Sequence, residues 1–213
     1  MKPTTFWPEP SAPYPLPHHS KQLTMSESAV GVRPVLRFLT VSPARELGIL
    51  LCLSVMFPFM VHLIPVPGDA QLGPRLLPMF YAPLLAALWG RVRSAVTLAL
   101  CAPWLNWALT AHPSPSGAIV MVVQLLVFVG AFRLFLHAIG ARWYLAAPAF
   151  LAGMAASAVL TAAAPGLIGE RAAVEWAIQS VVIGLPGIAI LVLINWAALR
   201  FYPPGPGGGP MAA

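Results

Sequence analysis

The side chains best equipped for chemistry in this sequence are amides, one carboxylate and a few aromatic rings, all set within apolar surroundings. Asn106 and Gln124 each fall inside a long apolar stretch. An amide at such a position needs hydrogen-bond partners, which a ligand or a neighbouring helix can supply. Glu175 and Gln179 are four residues apart, and so share one face of a helix. Tyr81, Trp104, Trp107 and Trp176 add rings with polar edges near the same depth. Together these eight residues can hydrogen-bond and stack. That chemistry suits noncovalent recognition of a planar heterocycle bearing hydrogen-bonding groups. For the tryptophans, an aromatic belt at a membrane surface is the competing role.

Covalent chemistry has no comparable set. No HExxH, GxSxG or CxxC motif occurs, and no catalytic residues are assigned. Cys52 and Cys101 lie in apolar runs, which excludes a disulfide framework and a cysteine zinc site. His18 and His19 stand in a Pro-rich tail and read as solvated rather than metal-binding. No cofactor or metal is expected. Lysine occurs only as Lys2 and Lys21, so a Walker A loop, which needs Lys after Gly, is impossible. No carboxylate falls at mid-membrane depth, as an ion-coupled carrier ordinarily requires.

The elements that must carry these residues follow from composition. Of 213 residues, 59% are apolar and 8% are charged. A soluble domain carries roughly a quarter charged residues. A mean hydropathy of +0.80 agrees with the membrane class. Six apolar stretches occur, at 46–64, 76–90, 94–111, 117–140, 143–164 and 172–200. A span through a bilayer core of about 30 Å takes about 20 helical residues. Four stretches reach that length; the second and third are short, and the second is interrupted by Pro78 and Pro83. Period-two alternation is absent, so helices rather than a barrel are implied. The expected fold is an all-α integral membrane protein, a six-helix bundle over 46–200. It is flanked by a Pro-rich segment and cytosolic flank at 1–45 and a Gly/Pro-rich tail at 201–213. Met25 is an alternative start.

The net charge of +6 then becomes a topology signal. Arg33, Arg37, Arg45, Arg91, Arg93, Arg142 and Arg200 flank one set of helix ends. The opposite connections hold Arg75 and Arg171 with Asp69, Glu170 and Glu175. The positive-inside rule puts both termini in the cytoplasm of a multi-pass cell (inner) membrane protein. The basic pI thus points to the lipid bilayer and not to nucleic acid. Arg133, about 24 Å along the fourth stretch, is expected to snorkel to the cytosolic surface.

Small residues recur at helix-packing spacing. Ala44, Gly48 and Cys52 fall every fourth position in the first helix, and Ala152 with Ala156 and Gly153 with Ser157 do so in the fifth. Pro186 and Gly187 predict a kink in the last helix.

Residues 72–115 resemble the substrate-binding (S) component of energy-coupling factor transporters. Pro78, Pro83, Gly90, Pro103, Asn106, Thr110 and Pro113 stand at the matching positions. In that family a Pro-containing short helix leads through Gly to a helix with a Pro–x–x–Asn-like segment. Ala44, Gly48 and Cys52 resemble the family's small-residue docking motif. Arg91 and Arg93 depart from the small residues usual after the glycine, and His112 replaces the usual Gly before Pro113. The resemblance implies a vitamin or related micronutrient bound at the outer side. It also implies a transmembrane coupling subunit and cytosolic ATPase subunits as partners. A membrane scaffold of the rod-shape-determining type, also a small helical bundle, is the alternative. A lipid-modifying enzyme lacks a catalytic set.

Overall fold

The computed structural model describes residues 43–63, 72–89, 91–167 and 172–201. Residues 1–42 and 202–213, with Asp69, Gly90, Glu170 and Arg171, to which the sequence assigned roles, lie outside them; Pro43–Arg45 and Phe201, expected in the tails, belong to helices. All regular structure among the described residues is helical. Five helices are long: α1 (Pro43–Leu63), α4 (Val92–Thr110), α5 (Pro115–Ile139), α6 (Ala146–Ala163) and α7 (Ala173–Phe201). Between α1 and α4 run the short α2 (Leu72–Leu76), a 3-10 turn (Pro78–Phe80) and α3 (Tyr81–Leu88). Among the described residues, four helices are long and apolar enough to cross a membrane: the α1 segment Ala44–Val61, α5, α6 and α7.

Local chemistry explains the helix ends. Ser114 caps α5 by accepting from the Gly117 N–H at 3.2 Å, with Pro115 in the first turn, where its missing N–H costs nothing. Ala111 ends α4 in the left-handed conformation, its N–H donating to the Trp107 carbonyl at 2.8 Å. Gly140 ends α5 at φ 75°, which glycine adopts without a Cβ clash. The four-residue connection 111–114 and the six-residue connection 140–145 join neighbours that pack side by side, the arrangement of helical hairpins.

The core is built around the second apolar stretch. The segment Pro78–Leu88 has 11 residues, about 16 Å of helix at 1.5 Å per residue, roughly half a bilayer core. It is apolar on every side, and a helix of that kind belongs inside a bundle. Phe80, Leu84, Ala86 and Ala87 are fully buried. The Phe80 ring meets Phe128 of α5 and Phe150 of α6 edge-on, each at 5.2 Å between centroids. Each such pair contributes about 0.5–1.5 kcal/mol beyond area burial. Alanines on the rest of α3 let α1, α4, α5 and α7 approach it.

The entry to this buried segment is a tight turn. Leu77 adopts the left-handed conformation (φ 52°, ψ 42°), unfavourable for a branched side chain. Its seat is Gly187 of α7. A Cβ there would stand 2.7 Å from the Leu77 Cγ and 2.8 Å from the Arg75 carbonyl oxygen. Gly184 lies one turn earlier, 3.6 Å from a Leu77 methyl by the same measure. The turn therefore rests against the middle of α7, about 21 Å from Ala173. That differs from the sequence expectation for Arg75, which put it in a connection at the helix ends. Glycine at 187 thus serves close approach of two backbones, a role the Pro–Gly pair alone had not specified. Around the turn, the Leu77 N–H donates to Gly73 O at 3.2 Å and the Tyr81 hydroxyl donates to the Leu76 carbonyl.

Candidate functional site

The eight residues proposed to line a binding site fall into two groups. Asn106 and Gln124 are buried, and both are engaged between helices. The Asn106 Nδ2 donates to Ala102 O at 3.0 Å within α4 and to Ser54 O of α1 at 3.4 Å. Its Oδ1 and the Ser54 hydroxyl are buried without a partner among the described residues. Gln124 sits where α5 meets α6. Its Nε2 donates to the Met154 sulfur, and its backbone oxygen would lie 2.6 Å from any Cβ at position 153. Gly153 is what permits that approach, and Ser157 on the same face is buried too. The spacing of Gly153 and Ser157 thus marks the α5–α6 seam.

In the second group four residues are exposed, and Tyr81 and Trp176 are half-buried against the core. Trp104 and Trp107 are exposed and meet edge-on, 6.2 Å between ring centroids. Glu175 and Gln179 are exposed on α7, while Trp176 beside them packs partly buried against the core. Tyr81 is half-buried, with Phe57 edge-on at 6.1 Å. These exposed groups can offer hydrogen bonds and ring faces to a ligand. The segments 64–71 and 168–171, next in sequence to α1, α2 and the start of α7, lie outside the described residues. Two apolar grooves run along α7. One, of about 290 Å³, lies between α6 and α7 and is lined by Leu151, Met154, Ala177, Ile178 and Val181, among others. The other, of about 450 Å³, is lined by Trp143, Ala189, Val192, Leu193 and Trp196. Neither is lined by any of the eight residues.

The opposite end of the bundle gathers the arginines. Arg91 pairs with Glu46, whose side chain is buried at the start of α1. The Arg91 N–H donates to Ala86 O at 2.9 Å, and the Arg133 Nη1 donates to Ala87 O at 3.1 Å. Both oxygens belong to the last turn of α3, whose carbonyls have no partner within the helix and carry the negative end of its dipole. Arg133 therefore turns inward and caps α3, where the sequence had suggested snorkelling to the surface. Asn195 of α7, fully buried, donates to Arg142 O at 2.9 Å and Trp143 O at 2.8 Å, pinning the α5–α6 connection. The sequence signal for this contact was the amide itself, deep in an apolar helix.

The stripe of Ala44, Gly48 and Cys52 on α1 points away from the bundle. All three are exposed, and a Cβ at Gly48 would meet nothing within 4 Å. No group of three or more His, Cys, Asp or Glu side chains suited to a metal ion occurs among the described residues. Comparison with known protein families, curated proteins and solved structures gives no match.

Proposed function

We propose that this chain is the membrane-embedded substrate-binding subunit of an energy-coupling-factor-type importer for a vitamin or related micronutrient. Six spans with both termini in the cytoplasm complete the reading. The observation that carries it is the α1 stripe. Small residues at four-residue spacing ordinarily serve close helix packing, yet here they face away from the other described helices. A second membrane helix, that of the coupling subunit, is the occupant they suit. The resemblance of residues 72–115 points the same way. In this reading Trp104, Trp107, Glu175 and Gln179 present the exposed side of a substrate site, while Asn106 and Gln124 hold the helices behind it. Energy comes from partner ATPases, consistent with a sequence that has no nucleotide-binding lysine.

The test is purification of the full chain from its native membrane in mild detergent, followed by mass spectrometry of bound small molecules and proteins. A coupling subunit with ATPases and a retained heterocyclic compound are expected. Gly48→Leu should strip the protein partners and leave the small molecule. Gln179→Ala with Glu175→Gln should lower its occupancy at least about tenfold, the loss of two hydrogen bonds at about 1 kcal/mol each. A wild-type sample that holds neither ATPases nor a small molecule would refute the reading. Scaffold function is the second reading, favoured by the engagement of both buried amides in helix contacts. It predicts partners that survive removal of every ATPase.

A further inference from the structure

We propose that the groove of Trp143, Val192, Leu193 and Trp196 is a site for one anionic phospholipid, its phosphate held by Arg142 and Arg200. The groove is apolar and runs lengthwise along α7 at the arginine-rich end. Ala189, Val192, Leu193 and Trp196 fall on one helical face, and Arg200 continues that face one turn later. Arg142 precedes Trp143 in the connection that Asn195 holds against α7. Two exposed arginines thus stand at the same end of the apolar groove, Arg142 beside it and Arg200 one turn past Trp196. No acid opposes them: among the described residues the only carboxylates are Glu46, paired with Arg91, and Glu175, near the start of α7.

The occupant follows from that polarity. An acyl chain fits along an open groove of about 450 Å³ lined by two indoles and branched aliphatic side chains. Tryptophan settles at the level where acyl chain meets headgroup, which sets the phosphate next to the arginines. Guanidinium groups bind phosphate oxygens through paired N–H donors. A zwitterionic lipid brings the same phosphate but also an ammonium that two arginines repel. An anionic headgroup is therefore selected over choline. The site is distinct from the outward-facing residues of the proposed substrate site and stands or falls independently of that reading.

Native mass spectrometry of the full chain, in detergent with equimolar phosphatidylglycerol and phosphatidylcholine of identical acyl chains, tests the assignment. Phosphatidylglycerol adducts should exceed phosphatidylcholine adducts by about tenfold, given the attraction of each basic residue for an anionic lipid surface. R142Q with R200Q should bring the ratio near one, and R93Q, an exposed arginine on α4, should leave it unchanged. In nanodiscs, phosphatidylglycerol with brominated acyl chains should quench tryptophan emission more than the phosphatidylcholine equivalent, and W196F should reduce the difference. Equal adducts in the wild type, a ratio untouched by R142Q with R200Q, or an equal loss in R93Q would overturn the proposal. Circular dichroism of each variant separates lost binding from lost fold.

Discussion

Helices α3 and α7 are both apolar, yet they stand in opposite relations to the bundle. Of the eight residues of α3, six are buried, and neighbouring helices surround it. Of the 29 residues of α7, only Gly184, Gly187, Leu191, Asn195 and Ala198 are buried, a stripe along one side. Val182, Leu185 and Leu193 stand well exposed on the other. In a lipid solvent the difference cannot come from hydrophobicity, because lipid tails welcome leucine as readily as a protein core does. It comes from length and shape. α3 is too short to span and carries alanines that let four helices close over it. α7 is long enough to span and keeps its small residues where another backbone must pass.

The contrast can be broken most severely at the contact between these two regions. Gly187→Ala places a methyl group within 2.8 Å of backbone atoms of Arg75 and Leu76. A loss of about 3 kcal/mol, the upper end for overpacking, is expected, read as a lower melting temperature in detergent. A wild-type melting temperature would remove the basis for the close approach. A smaller effect is expected from Leu84→Ala inside α3. The transfer term largely vanishes in lipid, so the cavity left behind dominates, at about 2 kcal/mol. Loss of the Arg133 bond to Ala87 comes next: Arg133→Gln should cost about 1–2 kcal/mol, since a charged donor is removed from a buried carbonyl. Val182→Ala on the open side of α7 should change stability by less than about 0.5 kcal/mol. A cost matching that of Leu84→Ala would show that this side of α7 is packed, and would erase the contrast.

Most of the helix inventory was legible in the sequence. The stretches 117–140, 143–164 and 172–200 became Pro115–Ile139, Ala146–Ala163 and Ala173–Phe201. Long apolar runs have little choice but to be helical, and Pro, Ser and Gly mark their ends. The second stretch was less legible. Pro78 marked an interruption, but a leucine in left-handed conformation before it has no local signature. That conformation persists because a distant glycine accommodates it. The site was the least legible part. Polarity inside a span flags Asn106, Gln124 and Asn195 alike, and whether an amide faces a ligand or a neighbouring carbonyl depends on helix rotation, which spacing leaves open. Arg133 misled for a related reason. Snorkelling is the default for an arginine near a helix end, and only the nearby end of α3 offers it an inward partner.

The seating of Leu77 on Gly187 has a mechanical meaning. Residues 72–88 and the middle of α7 interlock like a key in its ward. Rotating α7 about its own axis would drive Cβ-bearing residues into the Arg75–Leu77 backbone, so the two must travel as one piece. Any large rearrangement of this bundle has to be borne elsewhere. The remaining freedom lies with α1, which no short turn locks into α7 and which leaves one edge uncovered. A disulfide engineered across 77 and 187 would thus leave such a motion intact, whereas a clamp on α1 would stop it.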